Sequence, residues 1–351
     1  MMKFAISLRL ALFGALGALV IGCGSDEGAP RAAAGSPGTS GAPSSAGSSS
    51  AGAGVAGGGT SGSAGSAAFA GGGAGVALAG SGGAAAGSGG APSNGGSAGS
   101  GGTQPKPSLG CGAPAGQTLN AWVEQPKLTV NGKDRQWWVW LPTGYDPSQG
   151  YPVVFTFHGC GSSDNYVPMQ KVAGDKAILV RGTGITGNCW TYGATGDDVK
   201  FFDAMLADLN AKRCVDQKRV FTTGYSSGSW LVNTLNCERG DKLRASGSVS
   251  GGVAVDTTKC VKAQFGRIFI HDSMDPTNDY VAAGNKAELA RLVKANHCSD
   301  AAPVPEDPAP CARYQGCDAG FPVVLCQSTG KGHDRRDDLA PGAFWKFFSS
   351  F

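Results

Sequence analysis

The chain has 351 residues, 58 of them glycine, and its 29 basic and 26 acidic residues leave a net charge of only +3. Lys and Arg are scattered without a run, which excludes an electrostatic nucleic-acid binder. Residues 103–351 carry the charge density of an ordinary globular domain, a length that buries one substantial core and is marginal for two.

In chain order, Lys3 and Arg9 make a basic start, and Leu10–Ile21 is a short apolar run. A bilayer span needs about 20 residues, so residues 1–22 read as a secretory signal instead. The run ends Val20-Ile21-Gly22-Cys23. This resembles a bacterial lipobox, where signal removal leaves a lipid-modified Cys as the new N-terminus. That implies lipidation at Cys23, and Gly24 in the next position implies sorting to the outer membrane or cell surface. Between Arg31 and Lys106 there is no charged residue, and 28 of the 58 glycines lie in 24–102 among Ala and Ser. A segment so poor in apolar bulk cannot collapse, and residues 23–108 read as a neutral tether with ends ~50 Å apart. The globular domain is then 109–351. Eleven Cys are present. Assigning Cys23 to lipid leaves an even number, and an exported chain favours disulfides, up to five of them. No CxxC or CxH spacing suggests zinc, so no metal is expected.

Lys127–Val130 and Gln136–Leu141 read as strands joined around Asn131-Gly132, a strong hairpin signal. Pro152–Phe157 and Ala177–Arg181 read as buried strands. Asp197–Arg213 is helical, since Val199, Phe202, Met205, Leu206 and Leu209 recur at spacings of three and four. Arg219–Thr223, Ala245–Ser250, Ile268–His271 and Val323–Cys326 read as strands, and Ser227–Cys237, Val281–Asn296 and Ala343–Phe351 as helices. Strands alternating with helices mean a mostly parallel sheet covered on both faces, in the α/β class.

The chemistry begins at Gly224-Tyr225-Ser226-Ser227-Gly228, a G-x-S-x-G between a predicted strand and a predicted helix. A nucleophilic serine on that elbow sits on a sharp turn, and the helix N-terminus aims free amides at the reacting centre. Gly95-Gly96-Ser97-Ala98-Gly99 in the tether has the same string with neither strand nor helix beside it, so context selects Ser226.

A serine nucleophile needs a base, and the chain has four histidines. His158 precedes the serine, at the end of a strand. Of His271, His297 and His333, only His333 follows the last strand, in Gly330-Lys331-Gly332-His333, the expected seat of the base. The acid belongs on the loop after the strand ending at His271. Asp272, Asp275 and Asp279 qualify by position, with Asp275 preferred because Pro276 marks a turn that lets the chain curl back, and Asp272 the alternative. One oxyanion donor is expected at the Ser227 amide, the other within Gly159-Cys160-Gly161, most simply at Cys160.

Several of these segments together resemble one family. They are His158-Gly159-Cys160-Gly161, Asn188-Cys189-Trp190, Asp197-Asp198-Val199 with Phe201-Phe202, Cys214-Val215-Asp216 with Arg219-Val220, Gly224–Gly228, His271–Asp275, and Gly316-Cys317 through Cys326 to His333. The chain resembles, over about 135–350, the secreted feruloyl esterase and polyhydroxybutyrate depolymerase family of α/β-hydrolases, close to carbohydrate esterase family 1. The resemblance implies a single α/β-hydrolase domain with Ser226 as nucleophile, Asp275 as acid and His333 as base. It also implies two bridges among Cys298, Cys311, Cys317 and Cys326, whose three possible connectivities stay open. Two positions depart from the family: Asp272 stands where Gly is usual, and Asp334-Arg335-Arg336 stands where an aromatic-proline pair often follows the histidine. The second bears on the leaving-group side of the pocket.

These readings lead to an exported, lipid-anchored serine carboxylesterase that uses no cofactor. The expected substrate is a feruloyl or acetyl ester of plant-wall xylan. A polyhydroxyalkanoate depolymerase is the rival within the same chemistry, and a catalytically inactive surface binding lipoprotein is the reading from another class. Trp190 and Tyr192 could stack on a phenolic acyl group, or serve as core or rim.

Overall fold

The structure, a computed structural model, describes residues 106–161, 167–185 and 188–351. The expected signal segment, Cys23 and almost all of the tether lie outside the described residues. Twelve strands are described: β1 (Trp122–Glu124), β2 (Leu128–Val130), β3 (Lys133–Arg135), β4 (Trp137–Trp140), β5 (Tyr151–Phe157), β6 (Ile178–Gly182), β7 (Val215–Tyr225), β8 (Ala245–Val249), β9 (Gly266–Asp272), β10 (Val304–Pro305), β11 (Cys311–Arg313) and β12 (Val323–Ser328). The helices are α1 (Gln170–Ala173), α2 (Asp197–Lys212), α3 (Ser227–Glu238), α4 (Asn285–Ala295) and α5 (Ala340–Phe348).

Ten of the strands form one sheet in the order β1-β4-β6-β5-β7-β8-β9-β12-β11-β10. From β6 through β12 all neighbours are parallel, and antiparallel strands finish both edges. This is the expected α/β-hydrolase class. β5 shows why the middle strands are near-continuous apolar runs. Val153, Phe155 and Phe157 pack into one buried cluster with α2, α3 and α4, while Val154 packs into a second with α5. A central strand of a parallel sheet has no solvent face, so both sides of its alternation must be apolar. In α2 the anticipated stripe is the buried one, with Phe202 edge-on to Phe155 at 4.9 Å. In α5, Pro341 sits in the first turn, where its missing N–H costs nothing.

The hairpin differs from expectation in its partner. Asn131 and Gly132 both take positive φ (48° and 76°), as a two-residue turn of this type requires. So tight a turn pairs β2 with the residues immediately following, β3, in a separate two-stranded sheet. The predicted partner, Gln136–Leu141, is instead β4, which joins the main sheet between β1 and β6. The helix expected over 281–296 starts later, at Asn285, because Gly284 before it takes φ 84°.

Composition put the end of the tether at 108, but the chain is tied down earlier. The Ser108 amide donates to the Val215 carbonyl at 2.9 Å, the Lys106 amide to Asp216 Oδ1 at 3.1 Å, and Ser108 is buried. Ten cysteines form five bridges: Cys111–Cys214, Cys160–Cys189, Cys237–Cys260, Cys298–Cys317 and Cys311–Cys326. Such disulfide density is the mark of an oxidising, extracellular setting. The last two resolve the open connectivity in the final third of the chain.

Candidate active site

Ser226 lies between the C-terminal end of β7 and the start of α3, at φ 51° and ψ −118°. A non-glycine residue rarely takes positive φ, and here the neighbouring glycines relieve the crowding of so sharp a turn. A Cβ on Gly224 would sit 2.5 Å from the Gly228 backbone, and one on Gly228 would sit 2.2 Å from the Phe157 carbonyl oxygen. The backbone of the elbow therefore packs directly on the end of β5, and Ser226 is thrust outward.

Three residues from three separate loops meet there. His333 Nε2 lies 3.0 Å from Ser226 Oγ, and its Nδ1 donates to Asp275 Oδ2 at 2.8 Å, with Oδ1 at 3.1 Å. Asp275 is buried, and its Oδ1 also accepts the Thr277 and Asn278 amides at 2.9 Å each. The turn that Pro276 signals thus folds back onto its own carboxylate. The Tyr225 hydroxyl donates to the His333 carbonyl at 3.1 Å, fixing the loop from below.

The other two candidate acids have different partners. Asp272 Oδ1 accepts the Met274 amide (2.9 Å) and the Gly330 amide (3.2 Å), and Oδ2 accepts the Ser328 hydroxyl (2.8 Å) and the Lys331 amide (2.9 Å). Burial by itself would raise this carboxyl, but the Lys331 and Met274 amides and the Ser328 hydroxyl outweigh it and hold its pKa down at about 2. Asp272 is therefore a strut beneath the loop that carries His333. Asp279 Oδ1 accepts the Val281 and Ala282 amides and closes the next turn.

The remaining histidines are also occupied. His158 Nε2 accepts the Gly184 amide at 3.0 Å. His271 is buried, burial pushes its imidazole below the ordinary value, and its Nε2 donates to the Asn278 carbonyl at 2.7 Å. His297 is exposed and pairs with Asp318 through Nδ1 at 2.7 Å.

The expected oxyanion loop leaves β5 beside Ser226, since a Cβ on Gly159 would meet Ser226 Cβ at 3.4 Å. Its Cys160 is bridged to Cys189. Trp190, one of the two aromatics considered for the substrate, is only 2% exposed, and its indole N–H donates to the His158 carbonyl at 2.9 Å. It packs edge-on to Phe157 and serves as core. Tyr192 is 38% exposed and stacks on Trp230. Ser227 is the first residue of α3, and its amide has no acceptor in the helix's own ladder.

Sequence reasoning missed the layer behind these loops. Arg135 and Asp198 form a fully buried ion pair, and Asp198 Oδ2 accepts both the amide (2.6 Å) and the hydroxyl (2.7 Å) of Thr191. Asp198 is also the second acid of the α2 N-terminus, where a carboxylate is common, so nothing local marked it as structural. Beside His333 opens a cavity of about 650 Å³ lined by Tyr225, Lys331 and the run Asp334–Asp338. Within it Arg335 pairs with Asp337, and Arg336 with Asp338 at 3.0 Å. Asp334, Arg335 and Arg336 thus help to line a charged chamber beside the imidazole.

No protein-family model matches the sequence. Among curated proteins, the chain is 31% identical over 264 residues to a probable feruloyl esterase C of Aspergillus niger, covering 69% of this chain and 90% of that one. It belongs to the feruloyl esterase family. A feruloyl esterase D of Neurospora crassa is 29% identical over 278 residues, covering 70% of this chain and 91% of that protein. The protein is accordingly a carboxylic ester hydrolase. Two solved structures agree in fold. The acetyl xylan esterase from Aspergillus awamori aligns at TM-score 0.50 and 17% identity, covering 66% of this chain and 99% of that one. The feruloyl esterase module from Clostridium thermocellum, solved with sinapinate, aligns at TM-score 0.50 and 14% identity, covering 71% and 93%.

Proposed function

We propose that the protein is a serine esterase that releases feruloyl or acetyl groups from plant-wall xylan through an acyl-enzyme on Ser226. The observation that carries this reading is His333, bridging Ser226 Oγ at 3.0 Å and buried Asp275 at 2.8 Å. His333 takes the Ser226 proton as Oγ attacks the ester carbonyl. The amides of Ser227 and Cys160 hold the oxyanion, a contribution of about 2.7–4 kcal/mol for each such donor. The alcohol leaves with the proton from His333, which then activates water to release the acid. Asp275 holds the imidazole tautomer and stabilises the imidazolium.

The substrate class is supported by the relatives' names, feruloyl esterases C and D among them. The chamber beside His333 supports the same choice over a polyester. A lining of paired acids and bases suits a hydroxyl-rich alcohol better than an aliphatic repeat. The geometry also speaks against a binding lipoprotein, which has no use for all three residues in hydrogen-bonded line. Around this domain we propose a removed signal at 1–22, a lipid anchor at Cys23 and a Gly/Ala/Ser-rich tether that lets the enzyme reach substrate outside the cell.

Hydrolysis of methyl ferulate, acetylated xylan, a 3-hydroxybutyrate oligomer and p-nitrophenyl acetate by the purified protein tests this, beside Ser226→Ala. Preference for ferulate or acetylated xylan, lost in the variant, is the expected result. Preference for the oligomer overturns the substrate class, and no turnover of any ester by folded protein overturns the esterase.

A further inference from the structure

A second cavity, of about 730 Å³, opens at the opposite end of the sheet from the triad. Arg244, Arg313, Tyr314, the 315–320 loop and Phe351 line it. Arg244 immediately precedes β8, whereas Ser226 follows β7, and these neighbouring strands run parallel. At about 3.3 Å per residue, the cavity lies on the order of 15 Å from the elbow along the strands. It takes no part in the chemistry described above.

The charges around this cavity are not all balanced. Arg313 pairs with Glu306 at 2.6 Å, and Asp318 is engaged by His297 Nδ1 at 2.7 Å and by Gln264 Nε2 at 2.6 Å. Arg244 forms no ion pair among the described residues. Its Nη1 donates to the Gly320 carbonyl at 2.7 Å, and its guanidinium carbon lies 4.2 Å from the centre of the Phe351 ring. Gly320 makes room for the group, since a Cβ there would meet Nη2 at 2.7 Å. Burial pushes the Arg244 pKa below the ordinary arginine value, with no carboxylate to offset it.

A partly desolvated cation without a counter-charge gains more from an arriving anion than a fully hydrated one does. The Phe351 ring and the Gly320 carbonyl already fix the plane of the fork, so a carboxylate meets it with little left to order. The rings of Tyr314 and Phe351 supply apolar wall beside that charge, and the volume is that of a small-molecule site. Such a wall suits a carboxylate carried on a ring better than an inorganic anion.

We propose that this cavity is a second binding site, for a ring-borne carboxylate held by Arg244 against Phe351 and Tyr314. Two sources share that chemistry: a uronate branch of the wall polysaccharide, and the hydroxycinnamate that the proposed reaction releases. The first would give the enzyme a second hold on its substrate, the second a sensor of its product. The site itself stands on Arg244 and its cavity; only the choice of these two sources rests on the esterase reading above.

The test is calorimetric titration of the full-length protein with a glucuronate-bearing xylo-oligosaccharide, the same oligosaccharide without the uronate, and ferulate. Two variants accompany it. Arg244→Gln removes the charge, and Ala319→Glu keeps the guanidinium but supplies a carboxylate from the cavity wall. At least one acid should bind, with the neutral oligosaccharide at least tenfold weaker. Its affinity should fall about 10- to 100-fold in each variant, the range of a charge-assisted hydrogen bond. Turnover of p-nitrophenyl acetate should stay within about twofold of wild type. Binding of the uronate alone assigns the polysaccharide, and binding of ferulate alone assigns the product. The site is overturned if neither acid binds, or if the neutral oligosaccharide binds as tightly as the uronate and ferulate does not bind. It is also overturned if affinity survives in Arg244→Gln, or in Ala319→Glu should the first variant not fold. A protein that binds the acid through Arg244 but hydrolyses no ester overturns the esterase reading and leaves this site standing, so the two failures are distinguishable.

Discussion

The loops on the two sides of Ser226 are secured by different forces. On the histidine side, carboxylates do the holding: Asp275 gathers two amides and the imidazole, and Asp272 gathers three amides and a hydroxyl. On the oxyanion side, the 158–161 loop is bridged covalently through Cys160–Cys189, backed by the Trp190 indole, with the Arg135–Asp198 pair behind Thr191. In the proposed mechanism His333 must shift a proton and accept charge, a task that suits the carboxylates gathered around it. The proposed oxyanion donors need only stay still, and a covalent link with a packed indole achieves that. One side should therefore fail by loss of charge, and the other by loss of a bond.

The largest effect expected is on the histidine side. Asp275→Asn keeps the shape but can no longer fix the tautomer or stabilise the imidazolium, and kcat on the ester should fall by about 10⁴ with the fold retained. Stopped assays with far-UV circular dichroism check both parts. A loss of tenfold or less would mean that Asp275 does not orient the base.

On the oxyanion side the matching change is the double variant Cys160→Ala with Cys189→Ala. It leaves the Cys160 amide in place but frees the loop that carries it. Four other bridges still cross-link the described domain. Removing an oxyanion donor outright costs about 10²–10³ in kcat, so a merely loosened one should cost up to about 10², with KM little changed. A rise in KM at constant kcat would instead assign the bridge to substrate binding.

How much of this contrast was legible follows from the range of the interactions. The parallel strands could be read because burial on both faces leaves uninterrupted apolar runs, as in β5. The triad residues could be proposed because each sits at a topologically fixed place: the elbow, the loop after β9 and the loop after β12. The β2–β3 pairing was missed because Lys-Asp-Arg has no strand pattern, and only the two-residue turn makes it pair. The edge strands β1, β10 and β11 are three residues or fewer and have no periodicity to detect. The support behind the oxyanion loop was illegible for another reason. Arg135 and Asp198 are 63 residues apart, and Trp190 could not be assigned to core or substrate until its burial was known.

Acid sharpens the comparison by the smallest measurable step. The Asp272 carboxyl is held at about 2 in the folded protein, against about 3.9 in an unfolded chain. A depressed carboxyl stabilises the fold fully above its unfolded value, and that contribution drains away as pH falls through 4 towards 2. Asp272→Asn removes the charge that the Lys331, Gly330 and Met274 amides surround. The variant should therefore be less stable than wild type near neutrality, and the gap in urea midpoint should close between about pH 5 and pH 2. The Cys160/Cys189 variant, measured beside it, should keep a constant gap over the same range, since a disulfide does not titrate. If the Asp272→Asn gap also stays constant with pH, the strut acts through shape rather than charge, and the two sides of the site are held less differently than their partners suggest.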